Sequence, residues 1–453
     1  MAMQGPMPGD RIQLSAGPWN LRGEACSPID GIEVRVPGLI PDEQALVTIT
    51  GRSRGGPVAW GTAEVPPPTS RRRAPPCQIH GSCGGCGLQY ATEEARFAAL
   101  VAGRTALLPP SVAATLAPEN QWVRSPGFGW RHKAVLLPSW RRGQLLLGGY
   151  GRGTHEVVDQ PDCRVLSDAL RQARRTVGDS LSELVRAGLR LAPPGGRSSR
   201  GLRAMVLRAN RTGAVLLTAV VRGPEDVELV RPWLEDLVSS GDLAGAFHQV
   251  FAAPSDAVHG RTPPQWVAGV RSLTETVGGV PLPVQPLAFF QVNPGVLEGI
   301  VDVLRGLALP TETLLDAYCG VGALGLAIVG QEEVRPRIVG CDVVPGAIAA
   351  AEKAAQALGL DARYVLGSPS DIQEAVGVAV VDPPRKGCSA KELAALVACA
   401  PERILYVSCS APSLARDTAR LLESGYRATG LWPADMLPQT AHLEMVASFE
   451  RVP

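Results

Sequence analysis

Cys409 stands where a thiol could act as a nucleophile. It directly follows the apolar run RILYVS, which predicts a β-strand, and ligands of parallel sheets bind beyond the carboxyl ends of the strands. The preceding predicted strand, VAVVD, ends with Asp382, and two prolines fix the backbone after it. Cysteines beside strands usually serve only packing, as we expect for Cys341 and Cys399. At a strand end next to Asp382, Cys409 is instead a candidate nucleophile.

Glu444 is the second residue whose surroundings suggest chemistry. It alternates with the apolar Leu443 and Met445 near the end of the chain. A carboxylate in an apolar strand is costly unless it is partnered or functional, and desolvation raises its pKa. A carboxyl group with a raised pKa suits a general base, and we predict that role for Glu444.

A turn rich in glycine predicts a nucleoside site. Asp316 closes the strand TLLDA, and Gly320 and Gly322 open the next helix, where glycine lets a ligand approach the backbone closely. Asp342 follows the next apolar strand and is placed to accept hydrogen bonds from ribose hydroxyls. The turn lacks the third glycine of a dinucleotide site. The spacing therefore favours S-adenosylmethionine over NAD.

Three clustered cysteines predict a metal centre. Cys77, Cys83 and Cys86 lie in the segment CQIHGSCGGCG of a chain that contains 10 cysteines. In a cytoplasmic protein such cysteines indicate metal binding or catalysis more often than disulfides. Thiolate ligands suit either zinc or an iron-sulfur cluster, and the ligand type alone does not choose between them.

The elements that position these residues alternate regularly from about residue 281 onwards. The apolar strands TLLDA, RIVGCD, VAVVD and RILYVS are each followed by a helical segment. This alternation predicts an α/β, doubly wound sheet. Upstream, the short runs RIQLSA, GIEVRVPGL, ALVTITG and PVAWGTAEV predict a small β-barrel, and a proline-rich linker follows at 66–76. Between them we predict an α+β region with helices at 91–107, 168–189 and 225–239 and a strand at 214–221.

Composition and charge favour a globular protein with a polyanionic partner. The 453 residues are 45% hydrophobic and 19% charged, which excludes a wholly disordered chain. No apolar run approaches a membrane span and residues 1–10 show no secretory leader, so we expect a cytoplasmic protein, and a monomer. Before residue 310, 32 Lys or Arg stand against 26 Asp or Glu, and the stretches 120–155 and 184–224 contain no acid. These stretches suit a polyanion, although two solvated Arg-rich faces would explain them equally well.

Five motifs in order carry a family resemblance. The runs FFQVN, YCGVG, DPPRKG, VSCSAPSLARD and LPQTAHLE together resemble the uracil-5 RNA methyltransferases, which form 5-methyluridine. The resemblance implies that Cys409 attacks carbon 6 of uracil, which makes carbon 5 an enolate carbon able to take a methyl group. It implies that Glu444 then removes the carbon 5 proton so that the cysteine can leave. It also implies cofactor or substrate contacts for Gln291, Tyr318, Asp342 and Asp382.

The same resemblance extends to the amino-terminal half. The cysteine cluster resembles the iron-sulfur element of part of the family, whose fourth ligand comes from a distant cysteine, and Cys163 matches that position. The resemblance favours a 4Fe-4S cluster on Cys77, Cys83, Cys86 and Cys163. The phrase DGIEVRVPGLIPDE resembles the TRAM domain, an RNA-holding barrel of OB-like type. WRHKAVL resembles an Arg-x-Lys element that implies RNA phosphate contacts, although its two cations could equally be surface charges.

These features together predict three domains and one activity. We expect a TRAM-like barrel at 1–68, a central iron-sulfur domain at 69–280 and an S-adenosylmethionine-dependent methyltransferase domain at 281–453. The preferred RNA is 23S rRNA, and the alternative is the tRNA T loop. A catalytically degenerate iron-sulfur RNA-binding protein is the other class, against which the presence of both Cys409 and Glu444 argues. One departure from the family is that Ser410, Ala411 and Pro412 replace the usual Asn-Pro after the nucleophile.

Overall fold

The computed structural model describes residues 5–453 except 55, 65–67, 196, 197, 199, 309, 331 and 334. Residues 65–67, where the sequence predicts that the last amino-terminal strand ends and the linker begins, lie outside the described part. Within the described residues, no helix is both long and apolar enough to cross a bilayer.

The amino-terminal region is a five-stranded sheet of order β1-β4-β5-β3-β2. Alternate residues such as Val34 and Val47 point into its core, which is the period expected of half-buried strands. The sequence analysis missed β2, because its run ACSPI contains a proline and no clear alternation. A turn at Asp30 and Gly31, both with positive φ, joins β2 to β3. The strands are β1 (Arg11–Ser15), β2 (Ala25–Ile29), β3 (Ile32–Val36), β4 (Gln44–Arg52) and β5 (Val58–Ala63).

The central region is a seven-stranded mixed sheet of order β12-β11-β10-β9-β6-β7-β8, with two long helices packed on it. The helix predicted at 225–239 is confirmed as α4. The one predicted at 168–189 ends three residues early, as the chain turns at Gly188 with a φ of 116°. Its elements are α1 (Glu93–Thr105), α2 (Pro110–Ala113), β6 (Lys133–Arg141), β7 (Gln144–Tyr150), β8 (Val157–Asp159), α3 (Asp168–Arg186), β9 (Leu202–Ala209), β10 (Val215–Val221), α4 (Glu225–Ser239), β11 (Gly245–Val250) and β12 (Gln265–Gly269).

The carboxyl-terminal region confirms the predicted doubly wound α/β sheet, with order β17-β16-β15-β18-β19-β21-β20. β15 to β19 are parallel, and β21 enters antiparallel between β19 and β20. The elements are a hairpin of β13 (Leu273–Val277) and β14 (Val280–Val284), followed by α5 (Pro294–Ala308), β15 (Thr313–Ala317), α6 (Ala323–Val329), β16 (Arg337–Asp342), α7 (Pro345–Ala357), β17 (Ala362–Leu366), β18 (Val378–Val381), α8 (Ala390–Ala398), β19 (Arg403–Ser408), α9 (Ala411–Glu423), β20 (Tyr426–Ala434) and β21 (Glu444–Arg451).

The amino-terminal sheet shares a hydrophobic core with the carboxyl-terminal sheet. Leu14 and Val34 of the first region belong to the same buried cluster as Phe97 of α1 and Leu315 of β15. Leu314, the neighbour of Leu315, points to the opposite face and joins a second cluster with α5 and the β13–β14 hairpin. One continuous apolar cluster, which includes residues of α1, therefore links the amino-terminal sheet to the carboxyl-terminal sheet.

Candidate active site

The carboxyl ends of β15, β16 and β18 form one edge of the catalytic sheet. β15 pairs in parallel with both neighbours, and Ala317 is in register with Cys341 and Val381. Asp342 ends β16, and Asp382 directly follows β18. The structure therefore places Asp342 and Asp382 at the same edge, on either side of the turn that follows β15.

The turn after β15 leaves room for a ligand. Tyr318, Gly320 and Gly322 have φ values of 61°, 54° and 78°, all in the left-handed region. For a tyrosine this conformation costs about 1–3 kcal/mol, and such strain is concentrated at functional sites. A Cβ added at Gly320 would meet no atom within 4 Å, whereas at Gly322 it would lie 2.9 Å from the hydroxyl of Tyr364. The backbone at Gly320 is thus open to close approach, and Gly322 is required by packing.

Two carboxylates hold this turn in shape. Asp342 accepts hydrogen bonds from the backbone N–H of Gly320 at 3.0 Å and of Val344 at 2.9 Å. Each of its oxygens retains acceptor capacity for a ribose hydroxyl. Asp316 is buried and accepts from the N–H of Gly325 in α6 at 2.9 Å, and burial raises its pKa to about 7. Asp316 therefore supports the helix, while Asp342 faces the site.

The structure brings the predicted nucleophile and base together. In the antiparallel pair of β19 and β21, Ser408 stands opposite Met445, so that Cys409 lies next to Glu444. Burial raises the pKa of the Cys409 thiol, the carboxylates of Glu444 and Asp382 raise it further, and the Arg385 guanidinium opposes them. Two groups that are 35 residues apart in the sequence thus meet at the same sheet edge as Asp382.

Glu444 carries an unsatisfied acceptor. Its Oε2 atom is buried and has no hydrogen-bond partner among the described residues. Burial raises the pKa of Glu444 to about 8, with a further contribution from Asp382 and an opposing one from Arg385. A buried acceptor without a partner is available to a group that a ligand brings. A carboxyl group with a pKa near neutral pH is suited to take up a proton.

Residues 410–412, which differ from the Asn-Pro that usually follows this cysteine in the family, form an ordinary helix N-terminus. Ser410 is the N-cap of α9, and its hydroxyl accepts from the N–H of Ser413 at 3.4 Å, while Pro412 stands in the first turn. Cys409 thus directly precedes a helix N-terminus, where the helix dipole favours a thiolate. With Ser410, Ala411 and Pro412 in place of the usual Asn-Pro, Cys409 still directly precedes the first turn of α9.

Gln291 lies at the junction of the central sheet and the β13–β14 hairpin. It lines a small cavity with His132, Arg208 and Glu275 of the central sheet and hairpin. The neighbouring Asn293 donates from Nδ2 to the carbonyl of Met436 at 3.2 Å. These contacts join the FFQVN segment to the central sheet and to the loop before Glu444.

The four predicted cluster ligands line one cavity. Cys77, Cys83, Cys86 and Cys163 surround a space of about 170 Å³ together with Arg131. Gln160 Nε2 and the N–H of Gly85 donate to the sulfur of Cys83 at 3.0 and 3.4 Å, an arrangement that stabilises a thiolate. Among the described residues, however, no three His, Cys, Asp or Glu side chains are arranged to hold a metal ion.

Curated relatives resemble this chain over its whole length. An RNA methyltransferase of Thermosynechococcus vestitus is 32% identical over 97% of this chain and 98% of its own length. The chain belongs to the RNA methyltransferases. A second, from Parasynechococcus marenigrum, is 31% identical over 99% of this chain and 97% of its own, and both are uncharacterised. No protein-family model matches the chain.

This RNA methyltransferase also shares its fold with a solved structure. Pyrococcus abyssi tRNA (uracil-54, C5)-methyltransferase, in complex with S-adenosyl-L-homocysteine, aligns with a TM-score of 0.74 and 23% identity. The alignment covers 97% of this chain and 100% of the other. At this identity the likeness concerns the fold.

The two cations predicted at an RNA surface have other surroundings in this RNA methyltransferase. Arg131 lines the cysteine cavity and donates from Nε to the carbonyl of Lys133 at 2.9 Å. Burial lowers the pKa of Lys133 to about 8, and Arg208 and Arg131 lower it further. The alternative of two plain surface charges is therefore wrong for Arg131, whose charge can instead balance thiolates.

The sequence analysis missed Asp417 as a supporting residue of this RNA methyltransferase. Asp417 is fully buried and accepts from the N–H of Cys388 at 2.8 Å and from the hydroxyl of Tyr406 at 2.7 Å. Ser413 donates to the carbonyl of Arg385 at 2.7 Å. These bonds tie the DPPRKG loop to the helix that follows Cys409. An acid among the apolar positions of SLARDTARLL was the available signal.

Proposed function

We propose that this protein is an S-adenosylmethionine-dependent methyltransferase that forms 5-methyluridine in RNA. The observation that carries the proposal is the pairing of Cys409 with Glu444, whose buried Oε2 lacks a partner, beside an open turn shaped for a nucleoside. The domain division at 1–68, 69–280 and 281–453 is part of the same proposal.

The residues present suit the cofactor. S-adenosylmethionine supplies an electrophilic methyl group when bound. Asp342 is placed for the ribose hydroxyls, the open backbone at Gly320 for the amino acid or adenosine moiety, and Tyr318 and Asp382 flank the same space. Gln291, whose segment contacts the loop before Glu444 through Asn293, is proposed as a further cofactor or substrate contact.

The catalytic groups then act in sequence. The Cys409 thiolate adds to carbon 6 of the flipped uracil, and the electron pair of the 5,6 double bond makes carbon 5 nucleophilic. Carbon 5 would then take the methyl group of S-adenosylmethionine, whose methyl–sulfur bond breaks so that S-adenosylhomocysteine leaves. Glu444, as carboxylate, takes the carbon 5 proton. The electron pair of the broken C–H bond re-forms the 5,6 double bond. The bond between carbon 6 and the sulfur of Cys409 then breaks and returns the thiolate. The target must leave its stack first, which costs only a few kcal/mol in an unpaired loop.

The preferred substrate is 23S rRNA, and the tRNA T loop is the alternative. The cysteine cavity and the amino-terminal sheet favour rRNA through the family resemblance, whereas the solved structure of similar fold acts on tRNA. The test is mass-spectrometric mapping of 5-methyluridine in both RNAs from cells with and without the gene. Loss of the modification from rRNA alone supports the proposal, loss from tRNA alone selects the alternative, and no loss from either refutes uracil-5 methylation.

The proposal includes a 4Fe-4S cluster in the cysteine cavity. A volume of about 170 Å³ is roughly tenfold what one water molecule needs, so it suits a cluster better than a single zinc ion. Arg131 would offset part of the charge of four thiolates. The cluster would serve structure and RNA positioning, since the methyl transfer requires no electron transfer.

We expect protein purified without oxygen to be brown and to contain about four irons per chain. Cys83→Ser should lose most of this iron, because it removes a thiolate that faces the cavity. Cys26→Ser is the matched control, because Cys26 is half-buried in β2 and does not line the cavity. Stoichiometric zinc without iron in anaerobic material would contradict the cluster.

The amino-terminal sheet is proposed to act as a TRAM-like RNA-binding domain. Trp60 of β5 is 41% exposed and stands in register with Arg35 of β3, so an aromatic ring and a cation share the outer face. Base stacking on such a ring contributes about 1–3 kcal/mol per base.

We expect Trp60→Ala to weaken binding of a structured rRNA fragment by about 5- to 100-fold. Trp60→Phe should keep most of the affinity, and S-adenosylmethionine affinity should be unchanged in both variants. Substitution is preferred to deletion of 1–68, because deletion would expose the core shared with β15. Affinities measured at two salt concentrations should show an unchanged salt slope, since no charge is removed. An unaltered RNA affinity in Trp60→Ala would show that this face does not bind RNA.

A further inference from the structure

The loop that delivers Glu444 is held by the segment that contains the cluster cysteines. We define the base loop as residues 435–443, between β20 and β21, and the cysteine segment as residues 71–104. The N–H of Leu88 donates to the carbonyl of Gln439 at 3.0 Å, and Arg104 Nη2 donates to the carbonyl of Ala441 at 2.9 Å. The base loop is thus fixed at Gln439 and at Ala441 by one segment.

Gln439 is the centre of this attachment. Its side chain is fully buried, and its φ of 68° is a left-handed conformation that is unfavourable for a residue other than glycine. Oε1 accepts from Arg73 Nη2 at 3.0 Å, and Nε2 donates to Glu93 Oε1 at 2.5 Å. Arg73 and Glu93 also form an ion pair at 2.9 Å. These bonds offset the local strain and hold the loop in one conformation.

The same contacts reach the cysteine cavity. Thr440, the neighbour of Gln439, lines the cavity together with the four cysteines and Gln89. Gln89 accepts from the N–H of Cys77 at 3.2 Å through its side chain, and from Arg73 Nε at 3.1 Å through its carbonyl. Two short paths therefore connect the cavity wall to Gln439, one through Thr440 and one through Gln89 and Arg73.

Cys409 is held by other elements. It lies between β19 and α9, and the bonds that support its loop come from Ser410, Ser413 and Asp417. None of these residues belongs to the cysteine segment. A change in the cysteine segment should consequently affect Glu444 more than Cys409.

We propose that Gln439 is a positioning residue that couples the filling of the four-cysteine cavity to the placement of the base Glu444. The inference rests on the proposed function, because it concerns the step in which Glu444 takes the carbon 5 proton and the carbon–sulfur bond to Cys409 breaks. A filled cavity fixes its own wall, and the wall fixes the base loop through Thr440 and Gln439. An empty cavity leaves addition and methyl transfer in place and slows release of the RNA.

The experiment measures single-turnover methyl incorporation and the lifetime of the covalent RNA adduct on denaturing gels, with full-length anaerobic protein. In Gln439→Ala we expect the adduct to persist at least about tenfold longer, with methyl incorporation within about twofold of the unsubstituted protein. Gln249→Ala is the matched control, because Gln249 is also buried and hydrogen-bonded but lies in β11 of the central sheet. A normal adduct lifetime in Gln439→Ala, or an equal lengthening in Gln249→Ala, would overturn the proposal.

A reciprocal substitution covers the case in which Gln439→Ala fails to fold. Gln439→Glu places two carboxylates against each other at Glu93 and should lengthen the adduct lifetime. Adding Glu93→Gln makes residue 93 the donor and residue 439 the acceptor of the same hydrogen bond. The double variant should therefore restore the normal adduct lifetime. If Gln439→Glu lengthens the adduct lifetime and the double variant does not shorten it again, the hydrogen bond between residues 439 and 93 is not the coupling contact.

The rate at which the protein releases iron is a second measurement, and it is independent of methyltransferase activity. Because coupling is reciprocal, Gln439→Ala should release iron to a chelator several-fold faster than the unsubstituted protein or Gln249→Ala. Chelated unsubstituted protein should show the same long-lived adduct as Gln439→Ala. The coupling would be refuted if Gln439→Ala released iron as slowly as the unsubstituted protein and if chelated unsubstituted protein showed a normal adduct lifetime. If instead Glu444→Gln gives no Cys409-dependent adduct, the proposed function itself fails, which separates the two outcomes.

Discussion

Replacing Cys409 with Ala is expected to abolish methyl transfer to RNA, by at least about 10⁴-fold. Without the thiolate, carbon 5 of uracil does not become nucleophilic, and the other thiols near this edge, those of Cys319, Cys341 and Cys388, are buried. S-adenosylmethionine affinity should remain within a few-fold, because the groups proposed to hold the cofactor belong to β15, β16 and β18. Methyl incorporation and cofactor affinity measured on the same preparation check both statements.

Cys399→Ala is the matched control for this loss. Cys399 is buried, whereas Cys409 is half-buried, and Cys399 caps the C-terminus of α8 with its thiol facing the carbonyl of Ile372. We expect this variant to keep its activity with at most a modest loss of stability. Retained turnover in Cys409→Ala would exclude covalent catalysis through this residue, whatever the behaviour of Cys399→Ala.

The elements of the catalytic sheet could be predicted because their signals are local. The strands β15, β16, β18 and β19 are each an apolar run followed by a helix, and this alternation predicts a parallel sheet with its ligand edge at the carboxyl ends. The strand β2 escaped prediction since its partner β3 and the turn at Gly31, rather than its own composition, make it a strand. The local sequence pattern was sufficient to predict those strands and helices whose own residues show the expected periodicity.

The arrangement of the site depended on contacts that no local pattern contains. Cys409 and Glu444 were predicted as separate candidates, but their adjacency follows from the insertion of β21 between β19 and β20. The bond between Arg73 and Gln439 joins residues 366 positions apart in the sequence. Long-range pairings of this kind are set by the whole fold, and for that reason the attachment of the base loop to the cysteine segment emerged only from the structure.

Glu444→Gln is expected to trap the RNA as a covalent adduct. Addition and methyl transfer need only Cys409, whereas the amide cannot take the carbon 5 proton, so turnover should fall by about 10²- to 10⁴-fold while the adduct accumulates. A slowed protein–RNA band on a denaturing gel checks this, and the double variant with Cys409→Ala must lack that band. Absence of the band in the single variant would show that Glu444 is not the base.

The single variant Glu444→Gln should also be more stable to unfolding than the unsubstituted protein at alkaline pH. The folded-state pKa of Glu444 is about 8, against 4.5 for an ordinary glutamate, so the folded state binds this proton more tightly than the unfolded state. The contribution of this proton to stability is complete below pH 4.5 and is lost as the pH rises through 8. The loss is at most about 5 kcal/mol, because each unit of pKa difference corresponds to about 1.4 kcal/mol.

Thermal unfolding at pH 5 and pH 9 tests this expectation. Glu444→Gln carries no titrating group at this position, so its advantage in melting temperature over the unsubstituted protein should be larger at pH 9 than at pH 5. An advantage that does not change with pH would mean that the carboxylate is well solvated in the folded protein. A carboxylate of that kind would not have the raised pKa that suits Glu444 to take up the carbon 5 proton near neutral pH.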